Sequence, residues 1–134
     1  MYALTVRDHV MIAHSLADPF FGPAQALHGA TLVAEVTWRR ERLDEHGVVL
    51  DIGAATTLLR QVLADLDYRN LDDHPAFAGR LSTTEAIAAH VADAVADGMP
   101  AAGLPIADFV DLEVLLREHP DAWASYRRPL GTTS

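Results

Sequence analysis

Residues 30–43 read ATLVAEVTWRRERL, and this stretch decides the fold class because its hydrophobicity alternates. One row of side chains is apolar, the other is polar, and only Val33 breaks the alternation. The two rows are Leu32, Ala34, Val36 and Trp38 against Thr31, Glu35, Thr37 and Arg39. A period of two places successive side chains on opposite faces of a strand. The stretch therefore predicts a strand with one buried face, ending at the turn-forming residues 44–47.

The segments on either side predict a second strand and a helix. Residues 2–15 mix Val, Ile, Leu and Tyr too irregularly for an amphipathic helix, and they precede a turn-rich stretch. We expect a strand there that pairs antiparallel with the first. Further along the chain, apolar residues recur at helical spacing after Asp51, a residue type that caps helix N-termini. This spacing predicts a helix over about 54–66.

The second half of the chain predicts one more helix and two more strands. Residues 67–81 have the composition of an ordered loop, and residues 82–85 read STTE, which matches a capping box with Ser82 as N-cap. The helix that follows should end near Asp97, before Gly98. Residues 109–116 form a β-like run, residues 119–121 a turn, and residues 122–128 a return strand.

The resulting order is β-β-α-α-β-β, which fits an α+β domain. We expect a four-stranded antiparallel sheet with both helices on one face. At 134 residues the chain is long enough for one domain and one core. The uncovered sheet face needs solvent or a partner, and oligomerisation is the natural answer.

Composition excludes several classes of function. The sequence has neither cysteine nor lysine, which removes disulfides, thiolate ligands and Schiff-base catalysis. A net charge of −9 with scattered arginines argues against nucleic-acid binding. No apolar run reaches the length of a membrane span or of a signal peptide, so we expect a cytoplasmic protein that does not bind membranes.

Six short fragments, taken with the element order, resemble the 6-pyruvoyl- and 6-carboxytetrahydropterin synthase family over nearly the whole chain. They are Val10-Met11-Ile12-Ala13-His14, Leu27-His28-Gly29, Asp51-Ile52-Gly53, Leu66-Asp67, Thr83-Thr84-Glu85 and Leu116-Arg117-Glu118. The resemblance implies the tunnelling fold, in which the sheets of several subunits join into a barrel. It also implies a homo-oligomer, often a hexamer of two trimers, with active sites at the subunit interfaces.

The resemblance implies a catalytic zinc ion held by three histidines, but this chain has only two of them. His14 and His28 match two ligand positions, whereas the third position is Ala30. Zinc is therefore expected only if another group completes the site, such as His9, Asp8 or a side chain of a neighbouring subunit. The alternative is that His14 and His28 are hydrogen-bonded histidines without a metal.

The acid–base residues implied by the resemblance are also only partly present. The family's general base is a cysteine before the second strand, and residues 22–26 contain no ionisable side chain. The family's Asp-His pair after the first helix corresponds to Asp67 and Tyr68. A phenol can transfer a proton beside a cation, and Arg69 is adjacent. We take Asp67 and Tyr68 as catalytic candidates, with a loop-packing tyrosine as the alternative.

The resemblance assigns substrate binding to Glu118. In the family, a glutamate at this position accepts two hydrogen bonds from the amino-pyrimidine edge of a pterin, a geometry that suits a carboxylate. Thr83 and Thr84 are further binding candidates, although a capping box alone would explain the STTE sequence. The alternative for Glu118 is an ordinary charged residue at a strand end.

The function predicted from these residues is a divergent lyase or cyclising enzyme that acts on a pterin-like heterocycle. Two alternatives stay open. One is a non-catalytic module that binds a pterin or purine, and the other is a zinc-free enzyme that uses the same pocket for another small molecule.

Overall fold

A single sheet organises the molecule. In the computed structural model, which describes residues 1–131, the sheet has five strands in the order β3-β1-β2-β4-β5. The strands are β1 Tyr2–His14, β2 His28–Arg40, β3 Arg69–Asn70, β4 Asp111–His119 and β5 Ala122–Pro129. All neighbouring strands are antiparallel except β3, which runs parallel to β1. The predicted α+β class is confirmed.

The predicted count of four strands is wrong, because β3 lies within residues 67–81, whose composition predicts a loop. β3 has two residues, which pair with Ile12 and Ala13 at the edge of β1. Two residues are too few to produce an alternating pattern. The parallel pairing is possible because a helix provides the crossover between the two strands.

Two α-helices cover one face of the sheet, as predicted. They are α1 Ile52–Ala64 and α2 Thr84–Gly98, and they pack on β1, β4 and β5. The predicted cap of α1 is confirmed, since the Asp51 carboxylate accepts a hydrogen bond of 2.7 Å from the backbone N–H of Ala54. Neither helix has the length and apolarity needed to span a bilayer, as judged over residues 1–131.

The predicted cap of α2 is wrong by one residue. The N-cap is Thr83, whose Oγ1 accepts a hydrogen bond of 3.1 Å from the backbone N–H of Ala86. Ser82 is buried and its side chain is used elsewhere. Serine is the better N-cap by residue type, but here the Ser82 side chain contacts His14 and Thr83 caps the helix.

The core lies between the helices and the even-numbered residues of the strands. Trp38, Leu112 and Leu116 on this face have no exposed surface. The opposite face carries charged side chains. There, Asp111 is 1% exposed and lies between two guanidinium groups, with its carboxylate 3.1 Å from Arg39 Nη1 and 2.5 Å from Arg127 Nε.

The segment between α1 and α2 is held by a buried histidine, His74. Its Nδ1 accepts a hydrogen bond from the Ala76 N–H, and its Nε2 lies 2.8 Å from an oxygen of Asp65. The His74 ring lies 5.9 Å from that of His90, on α2. Burial, and secondarily the neighbouring His74, lowers the pKa of His90 from its ordinary value of 6.5.

This lowered pKa predicts a loss of stability in mild acid. Near pH 6 the unfolded chain binds more protons at residue 90 than the folded chain, so stability should decrease as the pH falls below 6.5. We expect His90→Gln to weaken this pH dependence of the free energy of unfolding, measured by urea titration at several pH values. His46→Gln is the control, because that imidazole is exposed. Equal pH profiles for wild type and His90→Gln would contradict the assignment.

Candidate functional site

Two histidines meet where β1 ends and β2 begins. His14 and His28 are cross-strand partners in the register of the two strands, and both are on the even-numbered, helix-covered face. Their ring centroids are 4.6 Å apart, with an angle of 63° between the rings. The structure therefore brings together the two predicted metal-ligand candidates.

His14 is buried and has one free ring nitrogen. Only 3% of the residue is exposed, and its Nδ1 lies 2.9 Å from the Ser82 carbonyl oxygen and 3.0 Å from Ser82 Oγ. Because a carbonyl can only accept, Nδ1 carries the proton and Nε2 keeps its lone pair. Nε2 is buried and has no hydrogen-bond partner within residues 1–131. Burial and the adjacent His28 lower the pKa of His14, which keeps the imidazole neutral.

His28 has the same tautomer for the same reason. Its Nδ1 donates to the Ala26 carbonyl oxygen over 2.9 Å, so its Nε2 is also an acceptor. Metal-binding histidines are commonly oriented in this way by a carbonyl on the other ring nitrogen. Both histidines of the pair are therefore oriented by a backbone carbonyl oxygen, as metal-binding histidines commonly are.

The donor set is nevertheless too small for a three-ligand zinc site. Ala30 follows His28 on the same face, opposite Ile12, and its methyl group cannot bind a metal. Residues 1–131 contain no group of three His, Cys, Asp or Glu side chains that could hold a metal ion. His9 and Asp8 lie five and six residues before His14, roughly 17 to 20 Å along β1, so neither completes the site within one subunit.

Glu118 belongs to the same end of the sheet. At the end of β4 its Oε2 accepts a hydrogen bond of 2.9 Å from Thr84 Oγ1, in the first turn of α2. Thr84 is two residues from Ser82, which contacts His14. Glu118, Glu85 and Trp123 line a small cleft of about 170 Å³ beside α2. Thr83 is close in sequence, but its hydroxyl caps the helix.

Asp67 and Tyr68 lie at the outer edge of β1. Asp67 Oδ1 accepts a hydrogen bond of 2.9 Å from the N–H of Met11, and the N–H of Tyr68 donates to the Met11 carbonyl over 2.7 Å. Met11 precedes His14 by three residues, roughly 10 Å along the strand. Arg69 contacts Asp65 through its guanidinium. The backbone of this pair is thus anchored apart from the histidines, and its catalytic role stays a prediction.

Tyr68 has an unusual backbone. Its φ of 58° makes it the one non-glycine residue with positive φ in the described part of the chain, and its side chain is 80% exposed. Bulky residues rarely adopt this conformation, and such strain is concentrated at functional sites. The side chain contributes little to the core, so packing does not explain a tyrosine here.

The strain at position 68 predicts an order of stability. Tyr68→Gly should be more stable than Tyr68→Ala by about 1 kcal/mol, because glycine adopts positive φ without a Cβ clash. Thermal unfolding of the two variants measures the difference. If alanine were as stable as glycine, residue 68 would not be held in the left-handed region.

Two residues of the site were not recognised from the sequence. Ser82 orients His14, but its match to a capping box concealed this contact. Asp72 accepts hydrogen bonds from the Ser15 N–H at 3.0 Å and from Ser15 Oγ at 2.6 Å, and so fixes the chain directly after His14. An aspartate in a loop gives no sequence signal for such a long-range contact.

Comparisons with known proteins agree with the geometry of the fold. The family profile described as 6-pyruvoyl tetrahydropterin synthase matches residues 3–129. No curated protein matches the sequence significantly. The structure of Caenorhabditis elegans 6-pyruvoyl tetrahydropterin synthase has a TM-score of 0.79 and 23% identity, and 95% of each chain is covered.

Two further solved structures have the same fold at lower identity. The Plasmodium falciparum 6-pyruvoyl tetrahydropterin synthase has a TM-score of 0.80 and 16% identity, with 96% of this chain and 98% of that chain covered. An uncharacterized protein from Wolinella succinogenes has a TM-score of 0.68 and 16% identity, with 93% and 97% covered. At these identities the likeness establishes a common fold.

Proposed function

Because the chain belongs to the 6-pyruvoyl tetrahydropterin synthase family, we propose that it binds a pterin-like heterocycle through Glu118 and converts it as a lyase or cyclising enzyme. The observation that carries the proposal is the position of Glu118. Its carboxylate lies in the cleft beside α2, oriented by Thr84, and belongs to the same end of the sheet as the two histidines. A carboxylate fork suits the paired N–H donors of an amino-pyrimidine.

The chemistry of the proposed enzyme does not pass through a zinc ion. Two imidazoles without a third protein ligand do not make the site that a catalytic zinc requires. We assign proton transfer to Asp67 and Tyr68. The assignment is supported by Tyr68, which combines a strained backbone with an exposed phenol. In this proposal, Glu118 holds the ring and Tyr68 is the proton-transfer group.

The proposed protein is a cytoplasmic homo-oligomer, with a hexamer as the family's precedent. Two sheet edges support assembly. Within residues 1–131, β5 has no neighbouring strand on its outer side, and the outer edge of β1 is paired only at Ile12 and Ala13. Long unpaired edges are readily paired with another chain. Light scattering of the purified protein measures the oligomer mass, and a monomer at micromolar concentration would contradict the proposed assembly.

Glu118→Gln tests the binding site directly. We expect the affinity for pterin, measured by calorimetry, to fall about 10- to 100-fold, because a hydrogen bond to a charged acceptor is replaced by a weaker neutral one. Glu85→Gln is the matched control, since that carboxylate lines the same cleft. Unchanged pterin affinity in Glu118→Gln would refute the anchor, and an equal loss in Glu85→Gln would point to net charge alone.

A non-catalytic binding module is the second candidate. The absence of an ionisable side chain in residues 22–26 and the alanine at position 30 favour it. A turnover assay separates the two. Conversion of a pterin by the wild type and its loss in Tyr68→Phe would support the enzyme, whereas binding without conversion would support the module.

A further inference from the structure

We infer that His14 and His28 form a binding site for a primary ammonium group of the ligand, which occupies the position between two imidazole acceptors. The inference rests on the proposed function, because the same ligand would place its heterocycle at Glu118. The ammonium group would be a substituent of that heterocycle. The ammonium group takes the place of a metal ion, which the ligand set within residues 1–131 does not fit.

The Nε2 atom of His14 is a buried acceptor without a donor in the described residues. His14 is 3% exposed, and its Nε2 is buried without a hydrogen-bond partner in the described residues. Buried polar atoms in native proteins are nearly always paired, so the orphaned Nε2 requires a partner from outside the described residues, and we take that partner to be the ligand. Both Nδ1 atoms donate to carbonyl oxygens, of Ser82 and of Ala26. The Nε2 atoms therefore offer lone pairs. Because residues 1–131 do not supply a metal-ligand set, the group that these lone pairs bind is a hydrogen-bond donor.

The second step is the charge around the pair. The Ser82 carbonyl oxygen fixes the proton of His14 on Nδ1, so the Nε2 lone pair stays available. The carboxylates of Glu118 and Asp72 lie near enough to act electrostatically on His14, and they favour a positive charge beside it. His28 is partly exposed, so the pair borders solvent on the His28 side. A cation that brings its own hydrogen-bond donors fits this environment.

The third step is the number of donors. A hydroxyl group has one hydrogen to donate, so it can satisfy one of the two nitrogens. A primary ammonium group has three, and it can serve both nitrogens and retain a third hydrogen for water or a carboxylate. The chain has no lysine, so it cannot supply an ammonium side chain itself. The ammonium group must therefore come from the ligand.

Three probes that differ at one position test the inference. They are pterin, 6-hydroxymethylpterin and 6-aminomethylpterin, and they are titrated by calorimetry into the assembled protein after dialysis against a chelator. We expect the aminomethyl compound to bind about 10-fold more tightly than the hydroxymethyl compound, since hydrogen bonds from charged donors are the stronger ones.

His28→Asn is the matched variant. Asparagine keeps an N–H donor near the position of Nδ1 for the Ala26 carbonyl but has no acceptor in place of Nε2. It should lose most of the preference for the aminomethyl compound and retain the affinity for unsubstituted pterin. Glu118→Gln should weaken all three compounds by a similar factor.

The other possible results of these titrations contradict the inference in different ways. If all three compounds bind equally and all are weakened by Glu118→Gln, the ammonium site is wrong and the heterocycle site stands. If the substituent matters only after zinc is added, a metal ion occupies the pair and the inference fails. If none of the compounds binds, the proposed function and this inference both fail.

Discussion

Trp38→Ala is expected to lower the free energy of unfolding by about 3 to 5 kcal/mol, the range measured for large-to-small substitutions at buried aromatic positions. Trp38 has no exposed surface and is among the largest fully buried side chains of the core. It lies on β2 at the register of Leu112, beneath the helices that cover this face. Removal of the indole leaves a cavity that a sheet bonded on both sides of β2 cannot close. Urea unfolding followed by circular dichroism measures the loss.

Two other substitutions show whether the loss comes from burial. Trp123→Ala removes the same side chain from a position that is 53% exposed, where it stacks on Arg117, and should cost below about 1 kcal/mol. Trp38→Phe should fall between the two. It leaves a smaller cavity and removes an indole N–H that has no acceptor within residues 1–131. Equal losses at positions 38 and 123 would contradict the assigned core.

Asp111→Ala is expected to destabilise the protein by about 2 to 3 kcal/mol, less than for a fully buried ion pair because its partners reach solvent. The carboxylate is the shared acceptor for Arg39 of β2 and Arg127 of β5. Its removal takes away the acid that Arg127 pairs with among the described residues, and it takes away a contact shared by three strands. The change in urea midpoint at constant slope measures the effect.

Glu113→Ala is the control for Asp111. Glu113 also binds Arg39, at 2.7 Å, but its side chain is 30% exposed, and exposed pairs contribute below about 1 kcal/mol. A loss at Glu113 as large as that at Asp111 would mean that total charge, and not the buried position, determines the effect.

The strands that alternate in hydrophobicity were predictable because each side chain there lies either on the buried face or on the exposed face of the sheet. The apolar row from Leu32 to Trp38 identified β2, and the Asp51 cap identified the start of α1 within two residues. β3 was not predictable, since two residues carry no period and its pairing with Ile12 depends on the path of the whole loop.

The site was predictable only in part, for a related reason. His14, His28 and Glu118 were selected by resemblance, and the structure brings them to one end of the sheet. Ser82 was assigned to a local cap because a tetrapeptide pattern describes only neighbouring residues. Its contact with His14 spans 68 positions, and no short pattern contains that information.

The two tryptophans of the chain give it two internal optical reporters. Trp38 is shielded from water, so its emission should lie at short wavelength and shift to the red only when the core opens. Trp123 is half exposed and lines the cleft that contains Glu118, so its emission should already lie to the red and change when that cleft is filled. The fluorescence of the unlabelled protein should thus separate unfolding from occupation of the cleft by wavelength alone.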